Sequence, residues 1–410
     1  MNILLIDSID LPFGGAHSVH VGLLMKGLLE NRENAFLIIP YGHKREVLSL
    51  NKKRVGHYDA IPYFFVHQDI HANKIIRLVN KFIAVFHTAG LIYRRRNKKK
   101  VDAIILGGAV DIIRDSPIIF MCAILRIPLY IWFVEKMSLN IYSGIPGFLN
   151  HWSQKMTEAF LPCFASGVIV ISSYLKKHYL KYLMEDKILI SPILVSQNMQ
   201  NTTMRNTKYI AKEKLDLKCN CKYLLVYSGS YGEKDGIFYL IDAFAKVVKK
   251  YPDTLFIMTG KNDSKIIMSS VESYIHLHNL QDYMQLVGFV NSEELFYYNH
   301  FADILFACRT NSPFANHGFP WKLGEYCMTC KPIIATKVSD IELYFKDNDD
   351  LLIVEPSNSK AIADKIDFVL SNYDEALVIA NKGKETALKN FGYLEKTREI
   401  IDFIKVNNNF

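Results

Sequence analysis

Between His317 and Tyr326 the chain places a histidine, a lysine and a glutamate on one short run, His-Gly-Phe-Pro-Trp-Lys-Leu-Gly-Glu-Tyr. The run continues through Cys327-Met328-Thr329-Cys330-Lys331-Pro332 into Ile333-Ile334-Ala335-Thr336. Local pattern predicts a loop, a short helix and a buried strand. Pro320 suits a first helical turn, where its missing N–H would have no partner anyway. Lys331-Pro332 stops the helix, and the branched residues that follow read as a strand. The first turn of such a helix presents N–H groups and a partial positive charge, which favours phosphate. Lys322 adds a mobile cation there, and Gly318, Phe319 and Pro320 bring the backbone in. Glu325 lies about one turn further on, an acceptor suited to a pair of sugar hydroxyls. Phosphate at a helix end with ribose beside it describes a nucleotide-sugar site.

The same residues resemble the donor-site signature of the GT4 family of retaining glycosyltransferases (glycosyltransferase group 1). The likeness lies in Gly318-Phe319-Pro320, Lys322, Glu325-Tyr326 and Lys331-Pro332-Ile333-Ile334-Ala335-Thr336. It implies an α/β chain with the GT-B fold, two Rossmann-like doubly wound domains facing across a cleft. The family signature has two glutamates with seven residues between them. The second maps on Glu325, implied to bind the donor's ribose, and the first falls where this chain has His317. A histidine there can donate or accept a hydrogen bond to the transferred sugar but supplies no fixed negative charge. A second patch of resemblance is the turn Gly229-Ser230-Tyr231-Gly232-Glu233-Lys234-Asp235-Gly236. Family members carry a Gly-Arg pair and then a Lys here, and both cations grip the donor diphosphate. Lys234 fits the second role. Ser230 stands in the place of the arginine, and Arg309, just beyond the strand at 303–307, is the expected substitute. Gly288-Phe289-Val290 matches the step whose backbone reads the nucleotide base. Gly14 and Gly15 after the first strand match glycines that approach the donor phosphates and acceptor, and Glu135 matches a strand end on the acceptor side. The implied catalytic set is Lys322, Lys234 and His317. The chemistry asks for no cofactor and no metal, because cations and N–H groups aimed at the departing phosphate carry it.

At 410 residues, half of them hydrophobic and 22% charged, the chain is long enough for two folded domains. The start, Met1-Asn2-Ile3-Leu4-Leu5-Ile6-Asp7, is a strand running into an acid and lacks the basic opening of a signal peptide. The most apolar window, 117–134, is broken by Arg126 and Pro128, so no membrane span is expected. A cytoplasmic protein is expected. Seven cysteines, an odd number and scattered, argue against a secreted disulfide framework. The Cys327/Cys330 pair lies in an apolar helix with no matching C-x-x-C pair after it, and reads as packing. The net charge of +8 is unevenly placed. Arg94–Lys100 is a basic block, preceded over 75–92 by a mixture of apolar and basic residues. It reads either as a solvated helix end or as attraction to an anionic membrane surface, which would make the protein peripheral on the inner face of the plasma membrane. No recognised nucleic-acid module accompanies the block, so a nucleic-acid partner is not expected.

In chain order the pattern alternates strands and helices. A strand at 3–7 leads through the glycines into a helix at 18–30, without the G-x-G-x-x-G spelling of dinucleotide sites. Further strands are expected at 36–40, 102–106, 128–134 and 167–172, the last followed by a helix capped by Ser172 or Ser173. A polar stretch with no hydrophobic period reads as a linker. The expected domains are 1–195 (acceptor), linker 196–213, 214–385 (donor) and a C-terminal helix over 386–410 returning to the first domain. Within the donor domain, 308–316 is expected as a loop, and 385–404 as one continuous helix. Two function classes fit these readings. One is a retaining transferase moving a sugar from a UDP- or GDP-sugar to a polysaccharide or lipid-linked oligosaccharide acceptor in cell-surface glycan synthesis. The other, which draws on Ser230 and His317, is a catalytically weak GT-B paralogue that binds nucleotide sugar or a partner glycosyltransferase.

Overall fold

A computed structural model describes all residues except 12–14, 43–52, 68–73, 136–143, 198–220, 261–263 and 409–410. The chain divides into two compact units, Met1–Leu194 with Tyr393–Phe410, and Val195–Gly392.

The first unit contains β1 (Asn2–Ile6), α1 (Ala16–Glu30), β2 (Asn34–Tyr41), β3 (Val55–Tyr58), β4 (Ile61–His67), α2 (Lys74–Lys98), β5 (Ala103–Leu106) and α3 (Ile112–Leu125). After these come β6 (Leu129–Phe133), α4 (Gly144–Phe160), β7 (Gly167–Val170), α5 (Ser173–Tyr179) and β8 (Ile188–Ile190). Its sheet has the order β3-β4-β2-β1-β5-β6-β7-β8. All pairings are parallel except β3 with β4. Strands β5 to β7 are buried along their whole length, as parallel strands covered on both faces must be. The β3–β4 hairpin has no counterpart in the sequence reading. Its two-residue turn, Asp59-Ala60, takes positive φ at both positions without a glycine or asparagine to announce it.

The second unit contains β9 (Tyr223–Ser228), α6 (Ile237–Val247), β10 (Thr254–Thr259), α7 (Lys265–Leu277), β11 (Met284–Gly288), α8 (Ser292–Phe301) and β12 (Ile304–Ala307). It continues with α9 (Pro313–His317), α10 (Trp321–Met328), β13 (Ile333–Thr336), α11 (Ile341–Tyr344), β14 (Leu352–Val354), α12 (Ser359–Ser371) and α13 (Tyr373–Phe391). Its all-parallel sheet has the order β11-β10-β9-β12-β13-β14. One apolar core runs through it, including Tyr227, Phe244, Phe256 and Phe306.

The expected single helix over 385–404 is two, α13 and α14 (Tyr393–Asn407). The break falls at Gly392, whose backbone leaves the helix to form a parallel bridge with Val195. Helix α14 then packs on α1 in the first unit. There the Asn31 side chain donates to the Leu394 carbonyl, and any side chain at Gly27 would collide with Thr397.

In both sheets the strand order reverses once. Chain from β1 goes to β2 on one side, and chain from β5 goes on to β6 on the other. Likewise β9 leads to β10 on one side and β12 to β13 on the other. Doubly wound sheets bind ligands outside the carboxyl ends of the strands at such reversals. The two crevices to inspect are therefore β1/β5 and β9/β12.

Candidate functional site

The crevice of the second sheet is built by glycines. Strands β9, β10 and β11 run out at Gly229, Gly260 and Gly288, and their backbones abut: Gly229 N donates to Thr259 O at 3.2 Å and Gly260 N to Gly288 O at 2.6 Å. Gly260 has φ +97°, and a Cβ there would lie 1.9 Å from the Gly229 carbonyl oxygen, so no other residue fits. The turn after β9 is held by Asp235. Its Oδ2 accepts from Ser230 Oγ at 2.7 Å and from Gly232 N at 3.1 Å. The Tyr227 hydroxyl donates to Ser230 O at 2.9 Å and closes the turn from below.

Lys322, in the first turn of α10, reaches into this turn. Its ammonium lies 3.9 Å from the centre of the Tyr227 ring, a cation–π contact, and any side chain at Gly229 would meet Nζ at 2.8 Å. Nζ has no hydrogen-bond partner among the described residues. Burial lowers its pKa to about 8, the charges of Arg309 and Lys234 lower it too, and Asp235 offsets part of this. A buried ammonium without a partner is unfavourable by itself and calls for an anion. Glu325 follows one turn later, and burial raises its carboxyl to about 7. Tyr326 is fully buried, and its hydroxyl accepts from Ser228 N at 3.1 Å, tying α10 to the end of β9.

The stretch expected as a loop, 308–316, contains α9. Ser312 caps it, its Oγ accepting from Ala315 N at 3.2 Å, and Pro313 occupies the first helical position. His317 is thus the last residue of a helix, with Nδ1 bonded to the Pro313 carbonyl. Arg309 is buried. Its Nη1 donates to Ala315 O at 3.2 Å, while its backbone is clamped on both sides by Thr336 Oγ1. The guanidinium therefore anchors α9 while adding positive charge to the crevice. Lys234 Nζ sits 4.5 Å from the centre of the Phe314 ring on α9, and its carbonyl accepts from Thr310 N at 3.0 Å.

Of the approach to α10, Phe319 turns its side chain into the core against Tyr344 and Phe391, and Pro320 is the N-cap residue. The Gly318 carbonyl accepts from Ser339 Oγ. Gly288 ends β11 at φ +78°, Val290 is half-buried, and Phe289 is 58% exposed beside them. Asp347 and Asp349, spelled D-x-D with Asn348 between, are bonded to Lys365 and Lys382, each at 2.8 Å.

The crevice of the first sheet holds a pair that the sequence reading passed over. Asp7, directly after β1, is 1% exposed and bonds His17 Nε2 at 3.0 and 3.1 Å. Gly107 and Gly108, after β5, close over it, and a Cβ at either would come within 2.7 Å of a carboxylate oxygen. Burial alone would lower the His17 pKa, but the Asp7 charge and hydrogen bond outweigh it and hold it above the ordinary value. His20 lies behind with its ring 4.7 Å from Trp132, its Nδ1 accepting from Leu194 N at 3.1 Å. Burial and the neighbouring His17 keep it neutral. An acid directly after the first strand and a histidine one loop later is the signal that could have found the pair. Gly15 is the N-cap residue of α1, Gly14 lies outside the described residues, and Glu135 is half-buried after β6.

Residues 211–386 match the family model of glycosyl transferases group 1. The second unit is a glycosyltransferase domain of that group. No match was found among curated proteins. Among solved structures, HepE of Anabaena in complex with UDP and glucose superposes with a TM-score of 0.72 at 16% identity, covering 99% of this chain and 100% of that one. A glycosyltransferase from Rickettsia africae gives 0.69 at 18% identity, covering 99% and 98%. Sucrose-phosphate synthase from Thermosynechococcus elongatus gives 0.71 at 14%, with the same coverage. The chain has the GT-B fold. No described helix is long and apolar enough to cross a membrane.

Proposed function

We propose that the protein transfers a sugar, with retention, from a nucleoside diphosphate sugar to a polysaccharide or lipid-linked oligosaccharide in cell-surface glycan synthesis. The observation that carries the donor side is the Lys322 ammonium, buried over Tyr227 with no hydrogen-bond partner among the described residues, one turn before Glu325. In this reading a diphosphate binds at the N-terminus of α10 and supplies Lys322 with its missing counter-charge. Glu325 accepts from the ribose hydroxyls, and the backbone at Gly288–Val290 lies along the base. As the glycosidic bond breaks, negative charge builds on the leaving phosphate oxygen, and Lys322, Lys234 and the first-turn N–H groups of α10 stabilise it. His317 is assigned to the hydroxyls of the transferred sugar.

UDP is the first nucleotide to test, because HepE is described with UDP and with UDP-glucose, and GDP is the second. On the acceptor side, His17 oriented by Asp7 is assigned a hydrogen bond to the acceptor or to the sugar it receives, next to Gly15 and Glu135. A lipid-linked acceptor would bring the chain to the inner face of a membrane, with the Arg94–Lys100 block turned to anionic lipid.

A second reading has its own support. The Ser230 hydroxyl is engaged by Asp235 and the Arg309 guanidinium by the Ala315 carbonyl, which leaves fewer cations for the diphosphate. A chain that binds nucleotide sugar without turning it over would show this pattern. Slow hydrolysis of UDP- or GDP-sugars, followed by nucleotide release, separates the two. Release abolished by Lys322→Ala supports the transferase, and binding without release supports the paralogue. The anomer formed on a simple acceptor, read by NMR, tests retention.

A further inference from the structure

Helix α2 is apolar on two opposite sides. Its inner side, with Ala84, Val85, Thr88, Ala89 and Ile92 buried, packs on β2, β4 and α3. Its outer side carries Ile76, Val79, Ile83 and Phe86, spaced three or four residues apart, and Tyr93 two turns further on, all exposed, Phe86 by 62%. Neighbouring α3, which packs on α2, also exposes Phe120, by 66%. A helix apolar all round is ordinarily covered on both sides. A contiguous exposed apolar surface marks a docking site.

Charge says what docks. From Lys74 to Lys98 the helix has seven Lys and Arg and no Asp or Glu. These cations are not all alike. Lys81 turns inward and lies 5.0 Å from the centre of the Tyr41 ring. Arg95 is stacked 3.5 Å over Phe36, and Lys100 pairs with Asp102 at 3.1 Å. Arg94, Arg96, Lys98 and Lys99 have no ion pair among the described residues and crown the C-terminal end of the stripe. A second copy of the chain laid on this face would set these cations against each other.

We infer that the outer face of α2 and α3 is a docking surface for an anionic lipid bilayer, with α2 lying in the plane of the interface. The apolar stripe enters the headgroup–acyl boundary, and the cations at the helix end engage lipid phosphates. This inference deepens the reading of a membrane-borne acceptor. It narrows the contact from the stretch 75–100 to one face of the helix, and it holds or fails independently of the donor site.

The test is co-sedimentation of the full chain with vesicles of phosphatidylglycerol and phosphatidylcholine, and with phosphatidylcholine alone, in the absence of nucleotide. Wild type is expected on the anionic vesicles and about tenfold weaker on the neutral ones. Ile83→Glu with Phe86→Glu, both at exposed positions, should weaken anionic binding about tenfold with an unchanged melting temperature. Arg94→Gln with Lys98→Gln should weaken it too and flatten its salt dependence. Equal binding to both vesicle types, or wild-type binding by the stripe variant, overturns the proposal. So does a wild-type dimer in light scattering that the stripe variant converts to a monomer, since the stripe would then be a contact between chains.

Discussion

The two sheets reverse at the same topological point and fill it with opposite chemistry. At β9/β12 the crevice is cationic, with Lys322 lacking a hydrogen-bond partner among the described residues and Arg309 and Lys234 nearby. At β1/β5 it holds a buried carboxylate already satisfied by His17. The first arrangement is strained until an anion arrives. The second is internally neutralised and orients an imidazole. One crevice is thus built to take charge, the other to place a hydrogen bond, although the strands beneath them are arranged alike.

Substitutions can break that contrast. Lys322→Ala should have the largest effect, lowering turnover of the donor by roughly 100- to 1,000-fold, the scale of losing one preorganised group facing developing charge. Steady-state kinetics on a UDP- or GDP-sugar reads it; a loss below tenfold would move the phosphate role to Lys234. Glu325→Ala should weaken donor binding by about 1.5–3 kcal/mol, the range for hydrogen bonds to a charged group, with calorimetry as the readout. Unchanged affinity in a folded variant would remove the ribose assignment.

His17→Ala sharpens the comparison from the other side. Transfer to acceptor should fall about tenfold, the low end for a positioned hydrogen-bonding group, while the dissociation constant for UDP stays unchanged. If donor affinity falls as well, the two crevices do not divide the labour. The smallest effect is on pH. Lys322 titrates at about 8 without ligand, and only its ammonium form attracts diphosphate. UDP affinity should therefore decline as pH rises through about 8, and this decline should be absent in Lys322→Met. Between about 8 and the ordinary value of 10.5 the unfolded chain holds the proton that the folded chain has lost, so ligand-free stability gains from Lys322 as pH rises there.

What the sequence disclosed follows the same division. Strand β5 falls within the stretch read as a strand at 102–106, and Ser172 caps α5 as one of the two serines expected, its Oγ accepting from Leu175 N at 3.2 Å. Lys322, Glu325 and the glycine turn could be grouped from the sequence because the β9/β12 crevice is assembled from short contiguous runs. The Asp7–His17 pair was not, because it joins a strand end to a helix start across a loop and is closed by glycines a hundred residues away. The β3–β4 hairpin was hidden because Asp59 and Ala60 adopt positive φ without the residues that favour it. Helix α9 was hidden in a run too short to show a period, although Ser312-Pro313 marks its start. The break between α13 and α14 depends on the bridge from Gly392 to Val195, a long-range contact that helix propensity does not register.

The most direct test of the account is to compare ligand-free and UDP-bound melting temperatures of wild type and Lys322→Met. A buried ammonium with no hydrogen-bond partner among the described residues should cost stability until an anion binds it. The account predicts that Lys322→Met melts higher than wild type without ligand, by on the order of 5 °C for about 2 kcal/mol. UDP at a hundredfold its wild-type dissociation constant should stabilise wild type by about 2.7 kcal/mol and the variant by far less. A variant that melts lower than wild type and responds to UDP as strongly would contradict it, because Lys322 would then be an ordinary structural lysine.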